Sequence, residues 1–134
     1  MRGVQIPEKL GARKGQRALL VLFIPSVDRY SAAIEQDAWV ERALETLGNC
    51  FGGATAFPKA KGVWRDDARA GELVFDEPVI INCYTSELEL ERHVETLRDF
   101  LMDMGTKTNQ GAVGLVIDRD YLEIQFPLED ENDG

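Results

Sequence analysis

The sequence predicts an α+β fold in which two helices cover one face of an antiparallel sheet. Two strongly apolar segments of strand length, residues 18–24 and 79–84, alternate with two segments of helical periodicity, residues 36–47 and 86–104. A pair of extended runs closes the chain. This order of elements is that of a ferredoxin-like βαββαβ plait. A doubly wound parallel sheet is the alternative, but two helices are too few to cover both of its faces.

The first strand is predicted from the run Ala-Leu-Leu-Val-Leu-Phe-Ile at residues 18–24, which Pro25 ends. Because this run does not alternate with polar residues, we expect both of its faces to be buried. The first helix is predicted over residues 36–47 from an apolar stripe at helical spacing, and Gly48 is expected to end it.

The middle of the chain is predicted to be extended. Residues 54–57 form a short strand, and residues 62–65 and 72–75 form two more around the polar loop 66–71. Residues 79–84 are rich in β-branched side chains and form the second strong strand.

The second helix begins with a capping box, in which Ser86 caps the first turn and Glu89 reaches back to it. Apolar residues then repeat at intervals of 4, 3, 4 and 3 and predict one buried face. They are Leu90, Val94, Leu97, Leu101 and Met104. Gly105 is expected to end the helix, and residues 111–117 and 121–126 follow as the closing strands.

Length and composition indicate one domain. The chain has 134 residues, of which 44% are hydrophobic, and chains divide into domains only beyond about 250 residues. We expect a flexible basic arm at residues 1–17, a single domain at 18–126 and an acidic tail at 127–134. No apolar run approaches the roughly 20 residues of a membrane span, and the N-terminus lacks the apolar core of a signal peptide. The prediction is therefore a cytoplasmic protein without a membrane partner.

The distribution of charged and apolar residues indicates which partners the protein is expected to bind. The chain carries a net charge of −9, although residues 1–17 hold five basic residues against one acidic residue. Five cations on an acidic protein are a weak electrostatic footprint, so nucleic-acid binding is not favoured. A sheet with helices on one side leaves its other face bare, and a second copy of the chain is the simplest cover. We therefore expect a homodimer, with a protein partner as a further possibility.

Few residues suggest catalysis. Cys50 and Cys83 are too few for a disulfide scaffold and too far apart for a zinc motif, so they are interpreted as small apolar residues. His93 lies four residues after Glu89, which suits either a tuned base or an ordinary residue at the flank of a helix. Phosphate-binding loops, nucleophile elbows and metalloprotease motifs do not occur. No catalytic residue, cofactor or metal is predicted.

The most unusual segment runs from the glycine pair in residues 51–58 to residue 67. Trp64 offers a flat apolar surface, and Arg65 offers a planar fork for carboxylate or phosphate. Asp66 and Asp67 add metal-binding or basic groups. These four residues are the predicted ligand-binding site. The alternative is structural: the indole packs on the sheet, the arginine pairs with an acid, and the aspartates solvate a turn.

Three stretches of the sequence carry a resemblance. They are Phe-Ile-Pro-Ser-Val-Asp-Arg at 23–29, Phe-Gly-Gly-Ala-Thr-Ala-Phe-Pro at 51–58 and Gly-Val-Trp-Arg-Asp-Asp at 62–67. Together they resemble a family of small bacterial proteins of unknown function, over about residues 18–126 and without the two ends. The resemblance implies a single bacterial cytoplasmic domain with a ferredoxin-like fold, and it assigns no site residues.

Two functions follow as hypotheses. The first is a binding or regulatory module that self-associates and offers a rim surface to a protein or small ligand. The alternative is a metal-dependent hydrolase or phosphodiesterase acting on nucleotide or nucleic acid. In that case Arg65 would hold phosphate, Asp66 or Asp67 would bind a divalent metal and His93 would transfer protons. The alternative requires these side chains to meet in one cleft.

Overall fold

The computed structural model describes residues 5–13, 18–118 and 120–127, which form four α-helices and seven β-strands. The helices are α1 (Gln5–Leu10), α2 (Gln36–Phe51), α3 (Glu87–Arg92) and α4 (Val94–Lys107). The strands are β1 (Ala18–Ile24), β2 (Thr55–Ala56), β3 (Gly62–Asp66), β4 (Glu72–Asp76), β5 (Val79–Thr85), β6 (Ala112–Ile117) and β7 (Asp120–Gln125). A 3-10 turn, Asp67–Arg69, connects β3 and β4. The predicted α+β class is confirmed.

The strands form two sheets. The main sheet has the order β2-β5-β1-β6-β7, and every neighbouring pair in it is antiparallel. Strands β3 and β4 pair with each other as a separate antiparallel hairpin. Helices α2 and α4 contact each other and pack on one side of the main sheet, α2 against β1, β2 and β5 and α4 against β6. The expected antiparallel sheet with helices on one face is present, with a fifth strand and a hairpin outside it.

The two faces of the main sheet differ in burial. In β1, Leu20, Leu22 and Ile24 point to the helices and are almost fully buried, while the side chains between them are half-buried. The expectation that both faces of this strand are buried is therefore met fully on one face only. We call the other side the open face. Its apolar side chains are Leu19, Val21, Phe23, Ile80, Tyr84, Val116 and Tyr121.

The core lies between the helix pair and the sheet. Trp39 of α2 meets Phe100 of α4 with ring centroids 6.1 Å apart, and both side chains join the buried cluster. On the solvent side Asp103 accepts hydrogen bonds from Arg42 at 2.9 Å and pairs with Lys107 at 3.1 Å. These hydrogen bonds lower the pKa of the Asp103 carboxyl. Apolar packing and a surface ion pair thus join the two helices.

Helix α2 continues past the residue predicted to end it. Gly48 lies inside the helix, and the chain leaves at Gly52, whose φ of 94° is left-handed. The Gly52 N–H donates to the Gly48 carbonyl at 2.9 Å. A glycine inside a helix costs only about 1 kcal/mol, whereas the left-handed position after the last turn favours glycine strongly.

The second predicted helix is divided in two at His93, whose φ of −117° and ψ of 15° are not helical. The Ser86 cap is confirmed, because its hydroxyl accepts the Glu89 N–H at 3.2 Å. The break turns the apolar stripe, so that Val94 is 53% exposed while Leu97 is 5% exposed. The expected end at Gly105 is wrong; α4 runs on to Lys107.

The terminal segments are described only in part. Residues 5–10 of the predicted arm form α1, and residues 1–4 and 14–17 lie outside the described residues. The acidic tail beyond residue 127 also lies outside them, so the flexible arm and the tail stay predictions. Among the helices of the described ranges, none combines the length and apolar character needed to cross a bilayer.

Candidate ligand-binding cleft

The four predicted site residues lie at the tip and on one strand of the β3–β4 hairpin. The Arg65 guanidinium donates from Nε to the Asp67 carboxylate at 2.7 Å, and both side chains are exposed. Asp66 accepts the Ala68 N–H at 3.1 Å and so caps the 3-10 turn. These contacts are the ones that the structural alternative expects. Trp64 is partly exposed, and a ligand role for this segment stays a prediction.

His93 lies elsewhere, at the junction of α3 and α4. Its Nε2 is 3.5 Å from the Glu89 carboxylate, and its ring meets the Phe51 ring edge-on with centroids 5.7 Å apart. None of its contacts joins it to the hairpin tip. Within the described ranges, no three His, Cys, Asp or Glu residues are grouped closely enough to hold a metal ion. The contacts that would build the hydrolase site are thus not among those of the described residues.

A different part of the fold forms a concave surface. A cleft of about 660 Å³ opens where the end of α2 meets strands β2 and β5. Small-molecule pockets have volumes of about 300–1,000 Å³. Its lining comes from the turn after α2 and from the open-face side chains at this edge of the sheet. The lining residues are Phe51, Gly52, Gly53, Ala54, Thr55, Phe57, Asn82 and Tyr84.

The glycine pair shapes one wall of the cleft. Gly52 turns the chain out of α2, and no atom would contact a Cβ on either glycine, so the backbone itself faces open space. The Cys83 thiol, on the buried face of β5, donates to the Gly53 carbonyl at 3.3 Å. Burial raises the pKa of Cys83, and neighbouring Cys50 raises it further, which keeps the thiol protonated as a donor. The buried Cys83 thus holds the wall in position.

The opposite wall offers aromatic and polar groups. Asn82 and Thr55 are cross-strand partners, and Tyr84 follows Asn82 on the same face. Tyr84 and Phe57 are both largely exposed at the mouth. Among the described residues, the Asn82 amide has no hydrogen-bond partner, so its donor and acceptor are both available. Tyr84 is the only ionisable side chain in the lining, which suits the cleft to binding more than to acid–base chemistry.

A second polar cluster anchors the hairpin to the domain. Asp76, at the end of β4, accepts the Ser26 N–H at 2.9 Å and also bonds the Ser26 hydroxyl. The same hydroxyl accepts the Glu77 N–H at 2.9 Å. The buried Gln36 amide donates to the Ile24 carbonyl at 3.1 Å and to the Glu77 carbonyl at 2.9 Å. The base of the hairpin is therefore fixed to the end of β1.

One buried charge holds three segments together. Arg29 is 4% exposed, and its Nη2 donates to the Gln110 carbonyl at 2.6 Å and to the Phe126 carbonyl at 3.4 Å. Its Nε and Nη1 find no partner among the described residues. The residue belongs to the 23–29 stretch that the sequence singled out, although no pattern indicated that its side chain is buried.

Sequence reasoning located half of the cleft. The glycine pair after Phe51 belongs to the segment that the sequence singles out as the most unusual. Asn82 and Tyr84 were missed, because they were interpreted only as part of a strand. The usable signal was their alternation with Ile81 and Cys83, which places them on the face away from the helices.

Comparison with known proteins supports the fold. No protein-family model and no curated protein sequence matches the chain. The chain is similar to the solved structure of a phage SAM lyase in complex with S-methyl-5′-thioadenosine, with a TM-score of 0.61 and 15% identity over 84% of this chain and 92% of that one. It is also similar to a phage SAM lyase in the apo state, with a TM-score of 0.60 and 17% identity over 87% and 95% of the two chains. At these identities the likeness concerns the fold.

Proposed function

We propose that this chain is a small binding module that takes a nucleoside-like ligand in the cleft at the β2 edge and self-associates through its open face. The proposed architecture is the ferredoxin-like plait, in which β2, β5, β1 and β6 are the four plait strands and β7 is an addition at one edge. Two free thiols and a bacterial family resemblance support a cytoplasmic setting.

The observation that carries the ligand proposal is the composition of the cleft. A purine nucleoside has a flat apolar face and an edge of hydrogen-bond donors and acceptors. Tyr84 and Phe57 supply aromatic surface for the face, and the unengaged Asn82 amide suits the edge. The bare backbone at Gly52 and Gly53 leaves room for the sugar. The similar phage enzyme was solved with a thioadenosine, which favours this ligand class here.

Self-association rests on the open face. Its central side chains Leu19, Val21 and Phe23 are apolar yet only half-buried, and Tyr84 and Tyr121 stand exposed at either side. Large exposed apolar patches mark interaction sites or ligand grooves, and self-association would cover this one. A second copy would cover the centre of the face over β1 and β6.

Calorimetric titration of the full chain with S-methyl-5′-thioadenosine and with adenosine tests the ligand proposal. We expect saturable binding that Asn82→Ala and Tyr84→Ala abolish. Tyr121→Ala is the matched control, because Tyr121 is 58% exposed on the same face and Tyr84 is 62% exposed. The proposal is overturned if neither nucleoside saturates the protein at millimolar concentration. It is also overturned if Tyr121→Ala loses binding together with Tyr84→Ala, since binding would then belong to the whole face.

A further inference from the structure

The β3–β4 hairpin presents an apolar face that the domain leaves uncovered. Its register places Val63 opposite Phe75 and Arg65 opposite Leu73, and these four side chains share one face. Phe75 is 71% exposed, Leu73 56% and Val63 53%. The other face carries Val74, which is buried, and Trp64, which is 43% exposed. One side of the hairpin is thus partly buried, and the other is exposed.

The hairpin is also held in a fixed direction. A two-stranded sheet is only marginally stable by itself, and β3 and β4 have no further strand partner among the described strands. The hydrogen bonds between Asp76 and Ser26 attach its base to the main sheet. The base of the hairpin is therefore fixed to the end of β1.

We propose that this hairpin face docks on the open face of a second copy of the chain, and that the partner's hairpin docks reciprocally. The inference rests on the proposed self-association and names a further part of its interface. The exposed hairpin face offers on the order of 400 Å² of mainly apolar surface. Covering an equal area on the partner, twice by two-fold symmetry, removes about 1,600 Å² from water, which is the area of a standard stable interface.

The charge of the hairpin permits a copy of this chain as the occupant. Residues 59–77 hold four basic and five acidic residues, whereas the whole chain carries −9. The hairpin is thus nearly neutral, so repulsion between it and a second copy of this acidic chain is small. The open face that would receive it is apolar as well, with Tyr121 as a large contact surface away from the cleft.

Light scattering coupled to gel filtration of the full chain at micromolar concentration tests the inference. Leu73→Lys should shift the protein to one chain mass and raise the dissociation constant roughly tenfold or more. The added lysine reduces the net negative charge, so lost assembly cannot come from extra repulsion. Leu88→Lys is the matched control, since Leu88 is 60% exposed on α3, and it should assemble as the wild type does. If circular dichroism shows that Leu73→Lys does not fold, Val63→Lys on the neighbouring strand replaces it.

The outcomes separate the inference from the proposed function. A wild-type protein that stays monomeric overturns both the hairpin contact and the proposed self-association. A wild-type dimer that Tyr121→Lys dissociates and Leu73→Lys does not overturns the hairpin contact and leaves open-face association standing. Dissociation by Leu88→Lys as well would show a general surface effect and overturn the hairpin contact. The nucleoside titration is measured separately and decides the cleft alone.

Discussion

Leu97→Ala tests whether the helix stripe is core where the structure says it is. Leu97 is 5% exposed and belongs to the buried cluster between α4 and the sheet. Truncation loses the burial of the removed methyl groups and leaves a cavity, and together these cost about 2–5 kcal/mol. We expect about 3 kcal/mol, because the residual exposure of Leu97 lets its surroundings relax in part.

The matched control is Val94→Ala, one turn earlier in the same sequence stripe. Val94 is 53% exposed, so its truncation should change stability by no more than about 0.5 kcal/mol. Urea denaturation followed by circular dichroism measures the unfolding free energy of both variants. In a thermal melt, the melting temperature of Leu97→Ala should fall by roughly 10 °C. Equal losses in the two variants, or an unchanged Leu97→Ala, would refute the rotated stripe and the break at His93.

Three further changes probe the packing, the hairpin and the charges. In Gly105→Ala the new methyl group would overlap the Phe126 ring, so we expect the free energy of unfolding to fall by about 1–3 kcal/mol. In a Phe126→Ala background the same substitution should instead raise it by about 1 kcal/mol, because alanine favours the helix. A loss of stability in both backgrounds would disprove the overlap. The double variant Trp64→Ala, Arg65→Ala should lose less than about 2 kcal/mol of unfolding free energy in a denaturation curve, because both side chains are exposed. A loss of about 3–5 kcal/mol would show that the indole belongs to the core and that the segment is not a contact surface. The pKa of Asp103 is lowered in the folded state, so its ion pairs stabilise the fold above the ordinary carboxyl pKa, and this stabilisation is lost as the pH falls through the folded-state pKa. The difference in stability between wild type and Asp103→Asn should therefore disappear in acid and become smaller in salt. A difference that does not depend on pH would contradict this reasoning.

Local patterns predicted the elements well where one residue type decides the outcome. The apolar run closed by Pro25 predicted β1 with both of its ends, and the Ser86 cap predicted the start of α3. Glycines were read less well. Gly48 and Gly105 are both predicted to end a helix, yet each lies inside one. At Gly105 a contact distant in sequence, the Phe126 ring, accounts for the glycine, and no local pattern reveals such a contact.

The candidate cleft shows the same limit. The glycine pair at residues 52–53 lies in the segment that the sequence singles out, so this part of the lining was predictable. The facing wall comes from β5, which reaches Thr55 only through the pairing of β2 with β5. Pairing of this kind is set by the whole sheet, so Asn82 and Tyr84 could be assigned to a face but not to a neighbour.

Phe126 determines where the C-terminal end of this domain can be truncated. The residue follows β7, yet its N–H donates to the Gly111 carbonyl at 2.8 Å, its ring lies on α4 over Gly105, and its carbonyl accepts from the buried Arg29. A chain cut after β7 would still contain every strand. It would nevertheless deprive the Arg29 guanidinium of a carbonyl and uncover a groove along α4. Fusions and truncations that preserve the fold should therefore begin beyond Pro127. A boundary at the end of the last strand should destabilise the domain.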